Sequence, residues 1–290
     1  MIRVRYTKEV QPDNWSVQFA LHNFIPGPNT NISKNEFSVT IKGCELTFSP
    51  VGNFKEQSDK LLRVGGNIRT SWIKTKLIDD ENNLIMRSGE IQDIVFDMLN
   101  PISLSLGTLV TCPQIITFDA EGNRNDVEYY TTKPMEYSSY VPLKGWDSPI
   151  NDTIMAWFSN SHILKTEDLR VYIKQHLDSC STKVFLESKA LVAATLLDVI
   201  ASNYANRYAP TQKKFKGKLS HLLKKIGIDI DIYRLTTIVK NRNSIVHSGD
   251  FVKTESGEEY SKYQDIVRLG RSILLRIVGV PSMLHEAMED

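Results

Sequence analysis

The sequence predicts an α+β protein, with a mostly-β N-terminal half carrying one or two helices and an all-α C-terminal bundle. Three observations carry this. In residues 1–150 apolar side chains recur with a period of two. After Pro149 they recur with a period near that of a helix. Between the two patterns, residues 133–149 hold Pro134, Pro142, Gly145 and Pro149 without periodicity, which is the composition of a linker. The expected domains are therefore 1–145 and 146–290.

The elements follow in order. Phe37, Val39 and Ile41 alternate with Ser38, Thr40 and Lys42, as a half-buried strand requires. Residues 15–21, 68–78 and 115–118 are also β-rich, and 121–125 reads as a hairpin tip leading into a strand at 127–130. One helix interrupts this half. Ser88 can cap it, Ile91, Ile94, Val95 and Met98 share a face, and Asn100-Pro101 is expected to end it. In the second half, Ile154, Trp157 and Phe158 begin a short helix, and Leu169, Tyr172, Ile173, His176 and Leu177 form a second stripe. Residues 184–208 form the longest candidate, apolar on much of its circumference, which suits the centre of a bundle. Phe215 to Ile226 follows and ends at Gly227. Asp229 or Asp231 can cap the next helix, which stops near Gly249, and a last helix fills 258–280.

Composition narrows the function classes. The chain has 290 residues and a net charge of +1 from 35 basic and 34 acidic side chains. With 41% hydrophobic and 24% charged residues it is no disordered chain, and its near-neutral sum argues against a wholly basic nucleic-acid binder. Cys44, Cys112 and Cys180 are too few and too scattered for a disulfide framework or a zinc site, and read as buried thiols. The N-terminus lacks the apolar core of a signal peptide, and the longest apolar run, 190–200, is interrupted by Asp198. That run is too short to span a bilayer, so a cytoplasmic protein without a membrane partner is expected.

The most specific stretch is Ile238-Val-Lys-Asn-Arg-Asn-Ser-Ile-Val-His-Ser-Gly249. Asn243 and His247 are four apart and so lie on one helix face, with Arg242 rotated about 100° from Asn243. A histidine takes up and returns protons near neutrality, and an arginine grips a phosphate through a planar fork. Together they are parts for transesterification in RNA, with a base for the 2′-hydroxyl and a cation for the charge developing on phosphorus. Taken on spacing alone, surface capping and pairing is the better account of such a pair.

The surroundings change that balance. Arg242-Asn-Ser-Ile-Val-His247 resembles the Arg-(four to six residues)-His motif of HEPN domains, in the form where Asn follows Arg, and Arg-Asn-Ser-Ile-Val-His-Ser-Gly is especially similar to the ApeA-like, abortive-infection branch. A long helix, 183–208, precedes it, followed by Phe215-Lys-Gly-Lys-Leu-Ser-His-Leu-Leu with that branch's recurrent Lys-Leu, and then an Asp-containing turn. The resemblance covers roughly 150–280, and no motif is recognised in 1–150.

It implies a HEPN-type helical bundle that forms a homodimer, with two motifs facing each other across one cleft. It implies a metal-independent endoribonuclease with no cofactor, acting in anti-phage defence or as a toxin, and leaving a 2′,3′-cyclic phosphate and a 5′-hydroxyl. Carried over, His247 is the general base or acid, Arg242 stabilises the scissile phosphate and Asn243 orients. Asp198 or Glu187 would supply the acidic residue some members use on the long helix. The N-terminal domain would sense a phage-derived trigger, hold an inhibitor or bind a partner. The alternative is a non-catalytic HEPN module that binds nucleotide, RNA or protein.

The charge is unevenly placed. Residues 204–247 hold ten basic and two acidic side chains, a local +8. Lys213, Lys214, Lys216 and Lys218, with Lys240, are the expected phosphate-backbone contacts of an RNA substrate. A run of lysines is more often a solvated helix face. Tyr204, Tyr208 and Phe215 offer rings for base stacking, although packing in the core is the commoner role.

Overall fold

The computed structural model describes residues 3–6, 15–24, 36–52, 69–79, 83–130, 150–159, 166–180, 185–252 and 258–280, with single positions at 56, 59, 60, 63, 81 and 164. The predicted linker, 133–149, lies outside the described residues. Two compact units divide after Phe158. The sequence puts the boundary at 145/146 instead; the difference arises because the helix after the linker buries Ile154 in the core of the first unit.

That first unit is built on a seven-stranded antiparallel sheet. Its strands are β1 (Arg3–Tyr6), β2 (Ser16–His22), β3 (Phe37–Ile41), β4 (Cys44–Pro50), β5 (Arg69–Lys76), β6 (Thr111–Phe118) and β7 (Arg124–Tyr130), arranged β1-β7-β6-β2-β5-β4-β3. The alternation at 37–41 forms β3, and it continues as Cys44, Leu46 and Phe48 in β4, which the sequence reading passes over together with β1. Lys42 and Gly43 join β3 to β4 with φ of 51° and 82°, the left-handed pair that lets a two-residue turn follow the strand twist. Pairing aligns Phe37, Phe48, Ile73, Phe19 and Ile115 in one row across five strands. Phe37 and Phe48 stack with centroids 4.3 Å apart.

Helix α1 (Ser88–Leu106) connects β5 to β6 and buries Ile91, Ile94, Val95, Met98 and Ile102 in the same core as the sheet row. Two expectations fail here. Ser88 is the first helical residue rather than the cap; the Arg87 N–H donates to the Glu90 carboxylate at 3.1 Å. Pro101 does not end the helix, because Asn100 Nδ2 donates at 3.0 Å to the Asp97 carbonyl that the missing proline N–H leaves open. Gly107, at φ 65°, stops it instead. Helix α2 (Ile150–Ser159) lies at the end of this unit.

The elements described in the second unit are all helices: α3 (Thr166–Ser179), α4 (Leu186–Tyr208), α5 (Phe215–Lys225), α6 (Ile232–Ser248) and α7 (Glu259–Val278). The long helix α4 packs against all four others, as its broad apolar circumference predicts. Its alanines at 190, 193, 194, 201 and 205 are buried and let neighbours approach closely. Polar contacts fix the helices in place. On α4, Arg207 pairs with Asp168 of α3 at 3.0 Å, and Arg234 of α6 pairs with Asp265 of α7 at 2.8 Å. No described helix is long and apolar enough to cross a membrane.

Candidate functional site

Helix α6 carries the motif. Its start is set by Asp231, whose carboxylate accepts from the N–H groups of Tyr233 and Arg234 at 2.8 and 3.0 Å. Its end is set by Gly249, which at φ 74° donates to the Ile245 carbonyl at 2.9 Å. Leu235, Ile238 and Ile245 anchor the inner face. Arg242 falls on that inner side, while Asn243 and His247 share the exposed one.

The two halves of the motif are therefore treated differently. The Arg242 side chain is only 10% exposed. Its Nη2 donates to Asp198 Oδ2 of α4 at 2.8 Å, and its Nη1 donates to Asn243 Oδ1 at 2.9 Å. Phe215 of α5 lies under the guanidinium, 4.5 Å from ring centroid to Cζ. The buried Nε finds no partner among the described residues. His247 reaches solvent in the last turn, and its side chain makes no hydrogen bond or ion pair among them. Asn243 thus orients the arginine directly, and Arg242 does not swing round to the exposed face as its length would permit.

Of the two candidate acids, Asp198 is the one beside Arg242. Glu187 sits exposed in the first turn of α4, eleven residues earlier, about 16 Å along the axis. The basic residues divide as well. Lys213, Lys214 and Lys240 are exposed. Lys216 and Lys218 are half-buried and held, Lys216 Nζ donating to Thr236 Oγ1 at 2.9 Å and Lys218 Nζ to Ser202 Oγ at 3.0 Å. Ser202 follows Asp198 by one turn on the same face of α4, a spacing of four that the sequence carries and the sequence reading does not use. The aromatic candidates separate too: Tyr204 is buried, Phe215 supports Arg242, and Tyr208 shows about half its surface to solvent.

His176, on the stripe of α3, is a core residue with an unpaired ring nitrogen. It is fully buried, its Nδ1 has no partner among the described residues, and its Nε2 lies 4.0 Å from Cys180 Sγ. Burial, then the nearby Arg271 charge, pushes its pKa down to about 3, so the ring stays neutral. The three cysteines are free and buried; burial pushes Cys112 up to about 12 and Cys180 up to about 11. Among the described residues, no three His, Cys, Asp or Glu side chains are grouped to hold a metal ion.

No protein-family model, no curated protein and no solved structure matches this chain.

Proposed function

We propose that the helical unit is a HEPN-type bundle and that the protein is an endoribonuclease of that type, cleaving RNA by 2′-hydroxyl transesterification as an anti-phage or toxin effector. One observation carries the reading. The Arg of the Arg-Asn-x-x-x-His segment is paired at 2.8 Å with an acid on the long helix, while the His and Asn of the same segment share the solvent face. In the reaction, His247 takes the 2′-hydroxyl proton and the 2′ oxygen attacks phosphorus. The P–O5′ bond breaks, and an imidazolium returns a proton to the 5′ oxygen, leaving a 2′,3′-cyclic phosphate and a 5′-hydroxyl. A homodimer with facing motifs supplies two imidazoles for these two transfers. Arg242 stabilises the developing charge, with Asp198 and Asn243 orienting its guanidinium. Lys213, Lys214 and Lys240 meet the flanking backbone. The chemistry calls on no cofactor, and the sheet unit is the seat of a trigger, inhibitor or partner.

A second reading rests on the burial of Arg242. In it, the arginine braces α4 against α6, and the bundle binds nucleotide, RNA or protein without turnover. One experiment separates the two: structured RNA is incubated with the full chain, with Arg242→Ala and with His247→Ala, in the presence and absence of EDTA. Cleavage by wild type alone, surviving EDTA and ending in a cyclic phosphate, is the expected outcome. Intact RNA with salt-sensitive binding that persists in His247→Ala would establish the second reading.

A further inference from the structure

The charge an incoming phosphate meets at this site is not that of Arg242 alone. That guanidinium is nine-tenths buried at the side chain and paired with Asp198 at 2.8 Å, which offsets part of its charge. Asn243 and Phe215 occupy a further donor and one face. One turn along the same face of α4, Ser202 holds Lys218 of α5, whose ammonium has that neutral hydroxyl, at 3.0 Å, as its one hydrogen-bond partner among the described residues. Asp198 and Ser202 are four residues apart, about 6 Å along the helix axis, so the two cations are anchored one turn apart on α4. Phe215, one turn before Lys218 on α5, fixes both: its ring carries the guanidinium and its helix carries the lysine.

We infer that Lys218, held by Ser202, is a second oxyanion-binding residue of this site, and that its ligand is a phosphodiester oxygen. The inference takes its ligand class from the ribonuclease reading. A half-buried ammonium with a neutral acceptor keeps its full charge for a ligand and loses little side-chain freedom on binding it. Ser202 serves as the orienting group, since a hydroxyl accepts from Nζ without cancelling its charge. Asp198 has a different role, holding Arg242 in place and offsetting part of its charge.

The test uses the full chain in the His247→Ala background, so that binding is read without turnover. The probes are inorganic phosphate and an RNA dodecamer, followed by calorimetry and by the ligand-induced rise in Tm. Lys218→Met is expected to weaken both ligands at least tenfold and to abolish the phosphate-induced Tm rise. Lys218→Arg should restore most of the binding, and Lys174→Met on α3 should stay within twofold. Binding by Lys218→Met within twofold of its parent would overturn the inference. If Lys218→Met does not fold, Lys218→Gln, which keeps a hydrogen-bonding group without the charge, decides by the same thresholds. Absence of cleavage together with Lys218-dependent binding would sink the ribonuclease reading alone. Cleavage by wild type, with Lys218→Met at unchanged KM, would sink this inference alone.

Discussion

Removing Asp198 tests whether the Arg242 pair holds the bundle together. A fully buried ion pair that loses one partner costs about 3–5 kcal/mol, and an exposed one about 0–1. This pair falls between, with Arg242 at 10% and Asp198 at 38% side-chain exposure. Water reaches the carboxylate, and after Asp198→Ala the guanidinium keeps Asn243 and Phe215. A loss of about 1.5–3 kcal/mol follows, or a Tm drop of about 5–9 °C for a unit of this size. The assay is thermal and urea unfolding followed by far-ultraviolet circular dichroism, which is dominated by the helical unit. Asp198→Leu combined with Arg242→Met leaves no charge stranded, so the pair of changes should cost about 1–2 kcal/mol less than the sum of the single ones. An Asp198→Ala variant within about 0.5 kcal/mol of wild type, or strict additivity in the double variant, would refute the reasoning.

Two further outcomes are expected. His176 is neutral in the folded protein because its pKa falls from 6.5 to about 3. Between those values the unfolded chain binds a proton that the folded chain refuses, so stability falls as pH drops, by up to about 1.4 kcal/mol per unit. Urea midpoints compared at about pH 7 and about pH 4.5 should show a shallower loss in His176→Gln; an unchanged slope would mean that His176 is not the group being protonated. Gly249→Ala places a Cβ at φ 74° with nothing within 4 Å, so its cost is backbone strain alone, about 1 kcal/mol. Gly249→Asn should cost less, because its side chain tolerates the left-handed region, and equal Tm values for all three proteins would count against Gly249 as the helix stop.

Much of this fold is written in local patterns. The helices from 150 to 278 follow from apolar spacing, because each buries one stripe and the stripe is visible without knowing its neighbour. Caps are less legible. Asp229 and Asp231 are equal candidates in sequence, and the chain geometry gives the position to Asp231. Pro101 reads as a terminator because the signal for its survival, a side-chain amide taking the vacated carbonyl, depends on a rotamer. Strand β4 shows the alternation of β3, yet β1 has only four residues and is defined by its partner β7.

The sequence by itself determined the division into a sheet half and a helical half, the placing of Arg242, Asn243 and His247 on one helix, and the concentration of positive charge before them. These depend on periodicity and composition, which are properties of neighbouring residues. Only the tertiary structure decided that Asp198 rather than Glu187 meets Arg242, that Phe215 supports a guanidinium, and that Lys218 is held by Ser202 while Lys213 stays in solvent. The reason is physical. Ion pairing, cation–π contact and burial depend on which turns of α4, α5 and α6 stand opposite one another, and that register is set by the packing of three helices at once.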